Sequence, residues 1–381
     1  MPIEIEETNG LWKATHAKGR CGGPRTIACG DTDILADFCC SIDSVPDYLL
    51  HSKNAHVYHK AGQSVFESKG DYPTGQSLRQ ISRYAANAMR VTWDLSWPKA
   101  TAPKDAVQIG NGTLKGRWTR MFLLQQDGSG QWQELEPGRE IAWQGNPPLA
   151  MVFEREDGVR LEYAYGFDLW RWEAGLGLAN STPLRVIPSE EGLQILRQVS
   201  DASLPPSDKE EAPAPQARDY RFMATLAWST PAMRQALKIG RDFESQATLL
   251  HYDSNGLLLN DMPDDARDFV IDLAEQKSLC MESDLLLSHL KRYIRQLAAF
   301  APEGRLLFKG FSPKTCLEAT HCAKKQPTLH WDHQALLTFA AWAKNCLGEG
   351  WCIDFQFPAP LNELPSLQFI SLPNGFAYNE G

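Results

Sequence analysis

The sequence predicts an α+β protein, with an antiparallel β-sandwich-like N-terminal domain followed by a mixed α/β C-terminal domain. Short segments of alternating apolar and polar residues dominate the first half, and the long segments with helical spacing follow in the second half. Between them, the segment 203–218 is rich in proline and glutamate, which is typical of an extended linker. We therefore predict a β-rich domain at 1–202, a linker at 203–218 and a mixed α/β domain at 219–381.

Period-two alternation predicts the N-terminal strands. In the segment 91–97, valine, tryptophan and leucine alternate with polar residues, and Pro98 ends the strand. The GNGT residues at 110–113 predict a hairpin turn, because Asn and Gly both accept positive φ. Further strands are predicted at 117–124, 149–153 and 159–165. Short strands at this spacing indicate an antiparallel sandwich.

Two long segments of the second half predict amphipathic helices. In the segment 281–300, leucine and isoleucine recur at helical spacing, and Pro302 follows its end. The segment 329–347 repeats the pattern, and Gly348 provides a C-terminal stop. Strands are also predicted in this half, at 305–311 and 351–357 among other segments. Helices mixed with strands make the second half α/β or α+β.

Composition and charge bound the class of protein and its partners. The chain has 381 residues, of which 43% are hydrophobic and 22% charged, as in a soluble globular protein of two domains. Its net charge is −9, and no basic cluster is long enough to neutralise a polyanion. Neither nucleic acid nor a membrane is therefore a predicted partner.

The cysteines and the acidic start predict the compartment. The chain has nine cysteines, an odd number, and its first ten residues lack the basic and apolar regions of an export signal. Free thiols persist in a reducing environment. The predicted location is therefore cytoplasmic.

Tryptophans beside charged residues indicate a ligand site in the first half. Trp118, Trp170 and Trp172 follow or lie in predicted strands, and Asp168 shares the face of Trp170 and Trp172 if that stretch is extended. Exposed indoles stack on sugar rings while carboxylates bind hydroxyls, so Trp118, Asp168, Trp170 and Trp172 are the predicted ligand-binding residues. The alternative is that these tryptophans fill the space between two sheets.

The segment 157–172, DGVRLEYAYGFDLWRW, resembles the large β-sandwiches of the galactose-mutarotase-like superfamily. The resemblance consists of one strand pair and a tryptophan-rich composition in the region before the linker. It implies a broad sheet face that binds carbohydrate. The catalytic His and Glu of that family do not map onto positions of this sequence, so the resemblance implies no catalytic residue.

A run of cysteine and histidine residues indicates a metal site in the second half. Cys316, Cys322, His330 and His333 offer thiolates and imidazoles, which are the ligands of zinc. Their intervals differ from the usual zinc-binding spacings, and the alternative is a buried thiol beside polar residues of a helix N-terminus. We therefore predict no cofactor, with zinc as the alternative.

These observations lead to one functional hypothesis and two alternatives. The G-x-S-x-G, H-E-x-x-H, Walker A and G-x-G-x-x-G motifs are absent, which argues against the common nucleotide-binding and serine-hydrolase classes. The leading hypothesis is a protein that binds a carbohydrate or another small polar ligand through its Trp-rich β domain. The alternatives are a Cys/His-dependent hydrolase, with or without zinc, that uses the segment 316–333, and a non-catalytic scaffold. Enzymatic activity and a protein partner stay open.

Overall fold

The chain forms two compact units. Unit 1 comprises Met1–Leu123 and Trp132–Thr230, and unit 2 comprises Leu124–Gln131 and Pro231–Gly381. The structure is a computed structural model and describes residues 2–6, 12–52, 54–60, 63–85, 87–97, 107–144, 148–166, 183–199, 218–237, 247–251, 266–275, 280–281, 283–313, 315–316, 328–329 and 331–368.

Strands dominate the described residues up to 229, and a short 3-10 helix lies at Asp47–Leu49. In chain order the strands are Ile3–Glu6 (β1), Trp12–His16 (β2), Thr26–Cys29 (β3), Thr32–Ile42 (β4), Val45–Pro46 (β5), His56–Lys60 (β6), Gln63–Asp71 (β7), Ser77–Ala85 (β8), Ala88–Trp97 (β9), Val107–Lys115 (β10), Trp118–Leu124 (β11), Gly130–Glu134 (β12), Ile141–Gln144 (β13), Ala150–Arg155 (β14), Arg160–Tyr165 (β15), Pro183–Pro188 (β16), Gly192–Val199 (β17) and Arg218–Ser229 (β18).

These strands form two large antiparallel sheets. The first sheet has the order β1-β2-β3-β4-β10-β17-β16-β13, and β5 pairs with β4. The second sheet has the order β12-β11-β14-β15-β18-β9-β8-β7-β6. Neighbouring strands in each sheet are far apart in the sequence at several positions, for example β4 beside β10 and β9 beside β18, so the fold depends on long-range pairing.

The two sheets face each other across one hydrophobic core. Phe38 of β4 contacts Trp93 of β9 and Tyr163 of β15, with ring centroids 5.5 and 5.7 Å apart. Trp12 of β2 meets Trp228 of β18 edge to face at 5.1 Å. Alternate residues of each strand supply these inward side chains, as expected of sheets packed face to face. The predicted antiparallel sandwich is confirmed.

The predicted hairpin turn at GNGT is wrong. The residues lie within the continuous strand β10, which pairs with β4 on one side and with β17 on the other. Gly110 has a φ of +63°, and the pairing register with β4 shifts between Gln108 and Asn111. Asn111 Oδ1 accepts a hydrogen bond from the backbone N of Arg197 at 2.8 Å. The segment therefore forms a bulge in a central strand, where Gly supplies the same positive φ that a turn requires.

Strand β18 extends the β-rich unit beyond the predicted domain boundary. It lies between β15 and β9 in the second sheet, and unit 1 continues to Thr230, whereas the predicted second domain begins at 219. Residues 203–217 of the predicted linker lie outside the described residues, and residue 218 begins β18. The linker itself stays a prediction.

The rest of unit 2 combines short strands with helices. Its strands are Thr248–Leu249 (β19), Asp268–Asp272 (β20), Gly304–Lys309 (β21), Thr315–Cys316 (β22), Thr328–Leu329 (β23) and Trp351–Phe355 (β24). Its helices are Pro231–Leu237 (α1), Asp284–Phe300 (α2), His333–Leu347 (α3), Ala359–Asn362 (α4) and Pro365–Gln368 (α5), with a 3-10 turn at Leu273–Glu275. None of the described helices combines the length and the apolar character needed to span a membrane.

Four strands of unit 2 form a parallel sheet in the order β19-β20-β21-β24. The ring of Phe300 in α2 packs edge to face on that of Phe269 in β20, with centroids 6.4 Å apart. The ring of Phe339 in α3 packs in the same way on that of Phe308 in β21, with centroids 5.4 Å apart. The register pairs Phe308 with Ile271, two residues from Phe269, so both helices pack on the same face. The four described strands are thus parallel and follow one another in chain order, with both long helices on one face of the sheet.

The two long helices end where the sequence predicts, at Phe300 and Leu347, and begin three and four residues later than predicted, at Asp284 and His333. Ser283 caps α2 by accepting a hydrogen bond from the backbone N of Leu286, and Asp332 caps α3 in the same way from Ala335. Gly348 ends α3 with a φ of +93°. The inward face of α2 consists of the predicted apolar positions together with one tyrosine: Leu286, Leu290, Tyr293, Ile294 and Leu297.

Candidate functional site

The carboxyl ends of the parallel strands form a pocket in unit 2. The pocket, which we call the strand-end pocket, has a volume of about 450 Å³ and is lined by Asp272, Lys309, Gly310, Phe311, Asp354 and Phe357, among others. Asp272 is the last residue of β20, Lys309 is the last residue of β21, and Asp354 is the fourth residue of β24. In sheets of this type, ligands bind outside the carboxyl ends of the strands.

The register of the sheet places these polar side chains on the face opposite the long helices. Asp272 pairs with Lys309, and Leu307 pairs with Asp354. Because side chains alternate along a strand, Val270, Leu307 and Asp354 form one layer, and Asp272 and Lys309 form the layer above it. Val270 and Leu307 are buried together in a small apolar cluster. The strand-end pocket therefore rises from an apolar floor.

Two contacts position Asp272, and the close approach of Gly310 confines it further. Its Oδ1 accepts a hydrogen bond from the backbone N of Ala274 at 2.9 Å, and its Oδ2 lies 3.9 Å from Lys309 Nζ. Gly310 has a φ of +81°, and a Cβ atom there would meet Asp272 Oδ1 and would lie 2.5 Å from Ala274 N. Only a glycine satisfies both the backbone conformation and the close approach.

Aromatic rings form the apolar wall of the same pocket. The rings of Phe311 and Phe357 are 4.7 Å apart, and Phe311 also lies 6.1 Å from Phe355. Asp354 stands beside this wall, where its Oδ1 accepts a hydrogen bond from the backbone N of Phe355 at 2.8 Å. The pocket thus combines two carboxylates and one ammonium group with aromatic surface, a mixture that suits a small polar ligand with an apolar face.

The structure places Trp118 in the core of unit 1. Its side chain is 2% exposed, its Nε1 donates to the carbonyl oxygen of Lys115 at 3.1 Å, and its ring meets Phe153 edge to face at 6.5 Å. The assignment of Trp118 as a ligand-stacking residue is therefore wrong, because its inward position on β11 gives its ring to packing between the sheets. Asp168, Trp170 and Trp172 lie outside the described residues, so their assignment stays a prediction.

The predicted metal ligands are only partly described. Cys316 belongs to β22, and His333 is buried at the first position of α3, directly after the capping Asp332. Cys322 and His330 lie outside the described residues. Within the residues that are described, no group of three or more His, Cys, Asp or Glu side chains is placed to hold a metal ion. The zinc site stays a prediction.

The residues of the strand-end pocket do not follow from the local sequence pattern. Lys309 and Asp354 lie in segments that were predicted as strands, and charged residues near the carboxyl ends of parallel strands are a signal for such a site. The signal requires knowing that the strands are parallel and adjacent, which the pattern of single segments does not contain. Asp272 was missed because β20, a five-residue strand, was not predicted.

Comparison with known proteins gives similarities of fold. No family model and no curated protein matches the sequence. A galactose mutarotase-like protein from Lactobacillus casei is 8% identical with a TM-score of 0.38, over 60% of this chain and 100% of that chain. An alpha-N-acetylgalactosaminidase from Bifidobacterium bifidum is 9% identical with a TM-score of 0.39, and a beta-arabinopyranosidase is 11% identical with a TM-score of 0.36.

The extent of these matches differs between the neighbours. The matches to the alpha-N-acetylgalactosaminidase and the beta-arabinopyranosidase each cover 93% of this chain. They cover 58% of the first protein and 55% of the second.

Proposed function

We propose that the protein binds a neutral carbohydrate in the strand-end pocket of unit 2. The observation that carries the proposal is the convergence of Asp272, Lys309 and Asp354 at the carboxyl ends of three adjacent parallel strands, beside the rings of Phe311 and Phe357. Sugars present hydroxyls at their edges and C–H groups on their faces. Carboxylates accept hydrogen bonds from the hydroxyls, and aromatic rings cover the C–H faces.

The charges of the pocket favour a neutral ligand over a phosphorylated one. Among the described lining residues, Asp272 and Asp354 carry negative charge, and Lys309 carries the positive charge. Lys309 Nζ lies 3.9 Å from Asp272 Oδ2, so the positive charge of Lys309 is already partly compensated. A phosphate or carboxylate placed here would meet a net negative site and would be repelled.

Glycoside hydrolysis is a second candidate function of the same pocket. Asp272 and Asp354 stand on β20 and β24, with β21 between them. Since neighbouring strands are about 4.8 Å apart, the two backbones are separated by about 10 Å, and the side chains of both residues reach into the space above β21. Two carboxyl groups on either side of a glycosidic bond are the requirement for its hydrolysis.

The binding proposal is tested by calorimetry on the full chain. Neutral monosaccharides and their methyl glycosides are titrated into the wild type, Asp354→Asn and Asp284→Asn. Asp284 is an exposed carboxylate at the start of α2, outside the pocket, and provides the matched control. We expect binding in the wild type and the control, and an affinity at least about tenfold lower in Asp354→Asn, because a charge-assisted hydrogen bond is lost. Absence of binding, or equal binding by Asp354→Asn, contradicts the proposal.

Hydrolysis is assayed separately with 4-nitrophenyl glycosides. Release of nitrophenol by the wild type that is lost in both Asp354→Asn and Asp272→Asn supports catalysis by the pocket. Binding without release limits the function to recognition.

The Trp-rich segment is a second location for the same function. Asp168, Trp170 and Trp172 are proposed as its ligand-binding residues, since an indole ring stacks on a sugar face. In the same calorimetry, loss of binding in Trp170→Ala with retention in Asp354→Asn assigns the site to that segment.

The zinc-dependent alternative is tested by metal analysis of protein purified without chelator.

A further inference from the structure

A second pocket lies on unit 1, at the end of its second sheet. Strand β6 is the last strand of that sheet and pairs with β7. The pocket, which we call the edge pocket, has a volume of about 400 Å³ and is lined by Asn54, Ala55, His56, Glu67 and Lys69. Its volume falls in the range of sites for small molecules.

Two stacked rings give the edge pocket an ordered aromatic surface. The rings of His56 and Tyr58 lie 5.4 Å apart at an interplanar angle of 24°. His56 Nδ1 donates to the carbonyl oxygen of Asn54 at 2.7 Å, because a carbonyl oxygen can only accept. In the tautomer that carries its proton on Nδ1, Nε2 is an acceptor, and the two contacts fix the orientation of the ring.

Glu67 contributes a fixed carboxylate to the floor of the edge pocket. Arg79 Nε donates to its Oε1 at 2.9 Å, and the Tyr58 hydroxyl donates to its Oε2 at 3.3 Å. These donors, the Arg79 hydrogen bond first, lower the pKa of Glu67. The carboxylate is thus ionised at neutral pH and keeps lone pairs for the hydroxyls of a ligand.

Lys69 contributes an exposed positive charge to the edge pocket, which acts on Glu67 through space without forming an ion pair with it. The Glu67 carboxylate is paired with Arg79, whereas the exposed Lys69 ammonium has no ion-pair partner within the described part of the chain. An exposed ammonium group beside acceptors and an aromatic surface is complementary to a ligand that carries one anionic group, hydroxyls and an apolar face.

We propose that the edge pocket binds a sugar acid, a saccharide unit that carries a carboxylate. The ligand carboxylate pairs with Lys69, its hydroxyls donate to Glu67 and His56 Nε2, and its C–H face lies against the imidazole ring. The edge pocket and the strand-end pocket thus take ligands of different charge, and neither proposal depends on the other.

The test compares three probes that differ in one group each. D-glucuronate, D-glucose and acetate are titrated into the full chain labelled with nitrogen-15, and backbone amide shifts near residues 54–69 are followed by NMR. We expect glucuronate to bind at least about tenfold more tightly than glucose, since the sugars share their ring hydroxyls and differ in the carboxylate. Acetate lacks the ring and should leave these shifts unchanged.

Lysine variants link the effect to the pocket. Lys69→Gln should reduce glucuronate affinity to that of glucose, and Lys69→Arg should retain most of it. Lys60→Gln removes an exposed lysine from the far end of β6 and is the matched control, with wild-type binding expected. Equal affinity for glucuronate and glucose, shifts of the same size with acetate, or unchanged binding by Lys69→Gln overturns the proposal. Asp354→Asn should leave these shifts intact, which separates this test from that of the strand-end pocket.

Discussion

Replacing Gly310 by alanine should displace Asp272 and weaken both unit 2 and its ligand binding. At a φ of +81°, an alanine pays about 1–2 kcal/mol for the left-handed backbone. Its Cβ would lie 2.5 Å from Ala274 N and against Asp272 Oδ1, so these atoms must move by about 1 Å to reach normal contact. Overpacking of this kind costs about 1–3 kcal/mol. We therefore expect a loss of about 2–5 kcal/mol in the free energy of unfolding.

Gly138→Ala is the matched control for the backbone contribution. Gly138 also has a φ of +81°, but a Cβ atom there meets nothing within 4 Å, so its cost should be limited to about 1–2 kcal/mol. Denaturant unfolding measures both losses, and calorimetry with the neutral sugar that the wild type binds measures the effect on the strand-end pocket. If Gly310→Ala costs no more than Gly138→Ala and binds the sugar like the wild type, then Gly310 does not position Asp272.

Three further predictions concern stability and reactivity. Burial raises the pKa of Asp47 from 3.8 to about 7, so this group contributes stability that is complete below about pH 4 and is lost as the pH rises to 7. The loss in the free energy of unfolding amounts to at most about 4 kcal/mol. Unfolding measured as a function of pH should show this slope in the wild type and not in Asp47→Asn. Leu336→Ala should cost about 2–5 kcal/mol by leaving a cavity in unit 2, whereas Leu285→Ala, at a side chain that is 60% exposed, should cost less than about 0.5 kcal/mol in the same unfolding experiment. A thiol reagent at pH 8 should label the half-buried Cys352 before the fully buried Cys40, whose pKa burial raises well above its ordinary value; peptide mass spectrometry measures the order, and earlier labelling of Cys40 would contradict its burial.

Local patterns of the sequence predicted the elements whose environment is uniform along their length. Helix α2 was recognised because one face of a 17-residue helix is buried, which repeats the apolar signal over several turns. Strand β9 was recognised because its inward residues alternate with outward ones. In both cases the local period and the tertiary packing agree, and the predicted C-terminal ends, each followed by a proline, match the structure, whereas both N-terminal ends differ by three residues.

The failures come from contacts between distant segments. The same Asn-Gly pair that forms a turn in an isolated hairpin forms a bulge when strands β4 and β17 pair with both of its edges. A tryptophan between arginines is equally compatible with a ligand site and with the core, and only the inward direction of β11 decided for the core at Trp118. Local sequence patterns do not predict the strand-end pocket for the same reason, because the order of the parallel strands brings its residues together.

The face of the parallel sheet opposite the long helices carries two acid–base pairs that differ in geometry. At the amino ends of the strands, Arg305 donates two hydrogen bonds to Asp268, at 2.8 and 2.9 Å, so both carboxylate oxygens are satisfied in a bidentate pair. At the carboxyl ends, Lys309 lies 3.9 Å from Asp272, beyond hydrogen-bond distance. The first pair already satisfies both Asp268 oxygens, so it would gain little hydrogen bonding from a ligand. The second pair lies at the end where the strand-end pocket opens, so the ligand that we propose for this pocket would meet Asp272, which lines it, and not Asp268.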